Sequence, residues 1–158
     1  VACVSAAWEC LRGRALWLLY GLISFVIAGK VMFSAQGAMY LANSFVFTLC
    51  ALTMAFLISS IFNNKEAVNG IVNVVALGSA FLCGAFIPVE WLPDGVLAVG
   101  RIFPAYWYIQ TNEYLKTLET VSVSGLKPVF LNMLVMAGYG VFYIIVANIV
   151  SAKKRVVA

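Results

Sequence analysis

The stretch LCGAFIPVEWLPDGVLAVGRIFPAYWY, Leu82 to Tyr108, decides how this chain is read. It is mostly apolar, yet it carries Pro88, Pro93 and Pro104, Gly84, Gly95 and Gly100, and the charges Glu90, Asp94 and Arg101. A continuous membrane helix does not tolerate that punctuation, and a loop in water does not carry that much hydrocarbon. Pro88 lacks a backbone N–H and ends the apolar run before it. Val96 to Ile109 is apolar again but has only 14 residues, short of the about 20 that cross a bilayer as a helix, and Pro104 divides it. Tyr106, Trp107 and Tyr108 form an aromatic cluster of the kind found at headgroup level. The reading is a re-entrant element, 88–109, that dips into the bilayer from one side and returns to it. Irregular backbone at membrane depth survives only against protein or a wet cavity, so the element is expected to pack on other helices beside an outward-facing opening. Arg101 is costly facing lipid. Asp94, seven residues before it and on the same helical face, and Glu90 are its expected ion-pair partners.

Outward from that stretch, the composition sets the class. Hydrophobic residues make up 64% of the 158 and charged residues 10%, against about 25% charged in an average soluble domain. Such a chain is an integral membrane protein of one domain. Four segments suit membrane-spanning helices: about Ala15–Phe33, Tyr40–Phe62, Ala67–Ile87 and Pro128–Ser151. A helix meets its own backbone hydrogen bonds where no water can, and no alternating short strands point to a barrel. The predicted fold is an all-α polytopic bundle of four spans plus the re-entrant hairpin after the third, preceded by an amphipathic cytoplasmic segment, 1–14, with an outer loop at 110–127. The chain has no starting methionine and no secretory signal, and a fragment or truncated product is the expectation.

Charge orients the bundle. Arg12 and Arg14 precede the first span, Lys65 lies in the turn between the second and third, and Lys153, Lys154 and Arg155 follow the fourth. Alternating spans put all six on one side, and positive residues favour the cytoplasm. The expectation is a multi-pass protein of the cell membrane with both termini inside. Lys116 and Lys127 fall outside, and Lys30 snorkels from the outer end of the first span. In the turn NNKEA, Asn63 and Asn64 are placed to cap the third span and Glu66 to meet its helix dipole. The same polar knuckle is a candidate contact for a cytoplasmic partner. The net charge of +4 gathers at that face, where anionic lipid attracts it, and implies no nucleic acid.

Catalytic chemistry is missing. There is no histidine, hence no Ser-His or Cys-His pair, and the four cysteines lack a zinc partner. No metal site and no catalytic residue are assigned. No G-x-x-x-x-G-K-[ST] motif cradles a nucleotide. Small residues at helical spacing, Ala80-x-x-x-Gly84 and Ser79-x-x-x-Cys83, are candidates for close helix packing, within the subunit or across a dimer. Gly138 and Gly140 are candidates for the same role.

From the third span onward the chain resembles the C-terminal half of an ABC-2 type exporter permease. The resemblance rests on a small-residue helix end at Gly84, then Pro88 and Pro93, then Pro104 followed by Tyr106, together with the capped NNKEAVNG turn and the short basic tail. It implies that the four spans correspond to the third to sixth of six. It implies a homodimer or heterodimer with another permease subunit, working with a separate cytoplasmic ATPase that binds the ATP and magnesium, so that this chain holds no cofactor. On that comparison Glu9, Arg12, Arg14, Asn63, Asn64, Lys65 and Glu66 are candidate ATPase contacts. Pro88, Glu90, Pro93, Asp94, Arg101, Pro104, Tyr106 and Trp107 form the candidate gate. The substrate stays open among lipids, drugs, peptides and polysaccharides. The alternative is a non-transporting membrane anchor or accessory subunit.

Overall fold

The computed structural model describes residues 13, 15–26, 29, 34–62, 64–87, 91–118 and 125–157, the last three of these without side chains. Among the described residues all regular structure is helical: α1 Ala15–Val26, α2 Ala35–Ile61, α3 Lys65–Leu82, α4 Asp94–Gly100, α5 Pro104–Thr117 and α6 Lys127–Val157.

Local chemistry sets the helix boundaries. The Ser34 hydroxyl accepts from the Gly37 N–H at 3.2 Å and starts α2, so the helix begins at Ala35 and not at Tyr40, where the second span was expected to start. Within α2, Thr48, Thr53 and Ser60 return their hydroxyls to carbonyls one turn back, which leaves no free donor toward an apolar surrounding. The Asn64 side chain accepts from Glu66 N–H at 2.9 Å and starts α3, with Glu66 in the first turn. α3 stops at Leu82 because Gly84 takes φ 91°, the left-handed region open to glycine. The Ala85 N–H then reaches back to the Ala80 carbonyl at 3.0 Å, the six-to-one bond of a Schellman terminator. Pro104 occupies the first turn of α5, where a missing N–H costs nothing.

α2 and α6 run parallel and pack along most of their length. Gly140 of α6 sits over Cys50 and Thr53 of α2, and the Lys154 ammonium donates to the Ile61 carbonyl at 2.8 Å. α1 lies antiparallel on α2, with Gly13 against Leu52, Trp17 against Ser44 and Phe45, and Gly21 against Leu41. The core joins three helices: Leu115 of α5, Val129, Met133 and Met136 of α6, and Met39, Tyr40, Val46 and Phe47 of α2. Elsewhere large apolar side chains face outward, among them Leu16, Leu22, Val26, Val74 and Leu134. In water such a surface aggregates; in hydrocarbon it is ordinary.

Among the described residues two helices, not the four expected, are long and apolar enough to cross a membrane: α2 and Lys127–Lys154 of α6. Among the described residues the first expected span is helical over Ala15–Val26 only, and Gly29 takes φ 51° three residues later. In place of the third expected span, Ala67–Ile87, α3 begins with Lys65 and Glu66, carries Asn69 and Asn73, and is cut short by Gly84; its 18 residues reach about 27 Å at 1.5 Å per residue. The expected outer loop also starts late, because α5 continues to Thr117.

Candidate functional site

The broken stretch folds into a helical hairpin, α4 and α5, joined by residues 101–103. Three features close its tip. The Trp107 indole N–H donates to the Arg101 carbonyl at 3.2 Å. The Tyr106 and Trp107 rings meet edge to face at 5.6 Å. The Arg101 guanidinium carbon stands 6.0 Å from the centre of the Tyr106 ring, at the outer limit of a cation–π contact. The expected Asp94–Arg101 ion pair does not form. Asp94 opens α4 and Arg101 follows its last residue, so the two lie at opposite ends of a seven-residue helix, and both are exposed. Glu90, the other expected partner, lies outside the described residues, as do Pro88, Asn63, Glu9, Arg12 and Arg14.

The hairpin is seated by its aromatic residues rather than floated by them. Tyr106 is buried with Cys83 and Ala105, and Tyr108 stacks on Phe47 of α2 with ring centres 4.5 Å apart. Phe47 is near the midpoint of α2, so the first turns of α5 meet that helix about halfway along it. Gly100 lets α4 touch the end of α3: a Cβ there would stand 2.7 Å from the Leu82 carbonyl oxygen. The Cys83 thiol points at the Gly100 carbonyl at 3.7 Å. Of the small residues expected to seat another helix, Gly84 and Ala80 form the terminator of α3, and the Ser79 hydroxyl bonds to Ala76 within the helix.

From the tip, α5 climbs antiparallel to α2 along a line of hydrogen bonds not anticipated from sequence. The Gln36 amide donates to the Leu115 carbonyl and reaches Leu118 O at 3.5 Å. The Tyr40 hydroxyl donates to Asn112 O at 3.2 Å. The Asn43 amide donates to Tyr108 O at 3.1 Å and to Asn112 Oδ1 at 2.9 Å. Asn43 is fully buried, and its own Oδ1 has no partner. A signal existed: Gln36, Tyr40 and Asn43 are spaced i, i+4, i+7, one face of a helix, inside an otherwise apolar run. Below the Phe47–Tyr108 stack an uncharged groove of about 380 Å³ runs between α1 and α2, lined by Trp17, Tyr20, Ser44, Thr48 and Leu52 among others.

At its far end, α5 carries the Lys116–Glu113 ion pair at 2.6 Å. The Glu113 carboxylate holds the lysine above its usual value of 10.5. A raised lysine pKa contributes stability below the unfolded-state value and loses it as pH rises through the folded-state one. The expected result is therefore a thermal midpoint for Glu113→Gln that matches the parent at neutral pH within the small worth of an exposed pair, with any gap closing only in strong alkali. A pH series of melting curves checks it.

At the opposite end of the bundle, Asn64, Lys65 and Glu66 lie at the start of α3, beside the tail of α6 that Lys154 ties to Ile61. Asn64 performs the expected capping, and Lys65 and Glu66 are exposed. The turn and the tail thus share one end of the bundle, and the α4–α5 hairpin lies toward the other.

Comparison with known proteins gives one family. The family model for the ABC-2 type transporter matches residues 1–112, a region that takes in α1 to α4 and the first part of α5. No curated protein and no solved structure matches the chain.

Proposed function

The chain belongs to the ABC-2 type transporter family, and from that premise we propose that it is the membrane permease subunit of an ATP-driven exporter, coupled to a separate cytoplasmic ATPase. The family is one of transport permeases that are not themselves catalytic and normally work with an ATPase subunit. The observation that carries the finer reading is that α5, joined to α4 by the turn 101–103, meets α2 near its midpoint and runs back antiparallel along it. A segment of that shape enters the bilayer and leaves by the side it came from. Its backbone is sheltered by α2, α3 and α6, as irregular chain at membrane depth requires.

In this reading α2 and α6 cross the bilayer fully, and α1 and α3 complete a four-span bundle with shorter apolar stretches. The NNKEA turn and the basic tail of α6 face the cytoplasm, following the positive-inside preference. Segment 1–14 and the Asn63–Glu66 turn receive the ATPase. ATP binding displaces that end, rigid helices carry the displacement outward, and the α4–α5 hairpin opens or closes a path between two permease subunits.

The test is co-purification with a cytoplasmic ATPase from the same cell. Lys65→Glu combined with Glu66→Lys inverts the exposed charges of the turn and leaves the Asn64 cap in place. The expected result is a folded, membrane-inserted permease that recovers less ATPase and no longer stimulates its hydrolysis. An unchanged association and stimulation would remove the turn from the contact. A chain that captures no ATPase at all favours the anchor reading.

A further inference from the structure

We propose that Gln36, Tyr40 and Asn43 are positioning residues that fasten the α4–α5 hairpin to α2, so that the hairpin follows α2 and not α3, the helix from which the chain enters it. The transport consequence rests on the reading above; the fastening itself does not.

Chain connectivity alone favours α3 as the lever, since the chain passes from Leu82 to α4 with no other α-helix between them among the described residues. The contacts favour α2. Among the described residues, the side-chain hydrogen bond between the end of α3 and the hairpin is a thiol to a carbonyl at 3.7 Å, a weak donor. α2, by contrast, sends donors from three successive turns, Gln36, Tyr40 and Asn43, to carbonyls spread over three successive turns of α5, at Leu115, Asn112 and Tyr108. The Phe47–Tyr108 stack locks the lower end of that line. A row of bonds along the axis resists sliding and rotation together, which one apolar contact does not.

Asn43 is the strongest indication. Both of its amide protons go to α5, while Oδ1 is buried with no partner. An orphaned acceptor is a standing cost, and replacing a buried polar pair by apolar residues of similar shape is often neutral or stabilising. What asparagine supplies that leucine does not is direction: two bonds to two points on one neighbouring helix. The same α2, 27 residues long and so about 40 Å from end to end, carries at its other end the Ile61 carbonyl that Lys154 holds, beside the NNKEA turn. One rigid body therefore links the proposed ATPase contact to the hairpin.

The test uses spin labels carried on non-natural amino acids, so that native cysteines stay in place. One pair joins Ser59 on α2 to Thr117 on α5, and the other Asn69 on α3 to Thr117. In the permease alone in lipid nanodiscs, the Ser59–Thr117 distance is expected to be narrow. Asn43→Leu combined with Asn112→Leu, which leaves no half-pair behind, is expected to broaden it without loss of folded protein. Tyr40→Phe, which removes one hydroxyl only, is expected to broaden it less. In the assembled complex, trapping with ATP and vanadate is expected to change Asn69–Thr117 while Ser59–Thr117 holds. In the double variant the trapped shift is expected to be lost while ATP hydrolysis persists, a separation that mere loss of fold does not produce. A Ser59–Thr117 distance that stays narrow in the double variant, or that changes on trapping in the parent, overturns the proposal. A permease that recruits no ATPase sinks the transporter reading, and the nanodisc measurement still decides the fastening.

Discussion

Leu115→Ala is expected to be the most destabilising single truncation among the described side chains of α5. Leu115 is fully buried and packs where three helices meet, against Val129, Met133 and Met136 of α6 and against Met39 and Tyr40 of α2. Removing a buried leucine side chain costs its transfer energy plus the cavity it leaves, about 2–5 kcal/mol in a close-packed site. The neighbours are poorly placed to collapse into the gap, because the Leu115 carbonyl is held by Gln36 and keeps the backbone where it is. The control is Leu134→Ala on α6, where the side chain is 74% exposed and faces hydrocarbon before and after the change; its expected effect is within about 0.5 kcal/mol. Denaturant titration in mixed micelles, followed by circular dichroism, measures both. Equal costs at the two positions would mean that the three-helix joint does not form.

Gly100→Ala is expected to pry the tip of the hairpin from the end of α3 while leaving α5 fastened to α2 and α2 paired with α6. The new Cβ would stand 2.7 Å from the Leu82 carbonyl oxygen, and a backbone atom at the end of a terminated helix cannot swing aside as a side chain can. Overpacking of this kind costs about 1–3 kcal/mol, and here the strain falls on the contact that holds α4 to α3. Gly95, in the same short helix, has nothing within 4 Å of its missing Cβ. Gly95→Ala is therefore expected to be neutral or to stabilise by up to about 1 kcal/mol, by helix propensity alone. The readout is accessibility of the hairpin tip to a water-soluble quencher of tryptophan fluorescence, with Trp107 as reporter and the other tryptophans replaced by phenylalanine. Gly100→Ala should expose Trp107 and Gly95→Ala should not. If both variants leave quenching unchanged, the close approach at Gly100 does not hold the tip against α3.

Much of this was legible in the residues. Pro93 and Pro104 stand where α4 and α5 start, and the start of α3 at Asn64 follows a cap preference that acts within four residues. The folding back of 82–108 was legible for the same reason: two apolar pieces too short to cross, separated by breakers, have few other options. The limits of the spans were harder to read. Gly84 looks like a packing glycine until its φ of 91° makes it the residue that ends α3. Lys65, Glu66, Asn69 and Asn73 dilute α3 without breaking its pattern, so hydropathy alone extended it to Ile87.

The contacts made by the candidate residues were harder to read than their places in the chain. Tyr106, Trp107 and Tyr108 read as an interfacial belt because aromatic clusters usually are; in the fold they close the tip, fill the space beside Cys83 and stack on Phe47. Asp94 and Arg101 share a helical face only if one helix contains both, and α4 ends a residue too soon. Gln36, Tyr40, Asn43 and Asn112 lie more than sixty residues apart across the α2–α5 joint, and no local pattern pairs them.

By itself, the sequence determined what local chemistry determines: an apolar, all-helical chain, the positions of its caps and breaks, and the turning back of its proline-punctuated stretch. Packing across distant parts of the chain selected the helix that holds that stretch, the close approach at Gly100, and the buried row of amides and hydroxyls that joins α2 to α5. The physical reason is range. Capping, propensity and proline act over a turn or two of chain, whereas a hydrogen bond between distant helices exists only once packing has removed every competing partner.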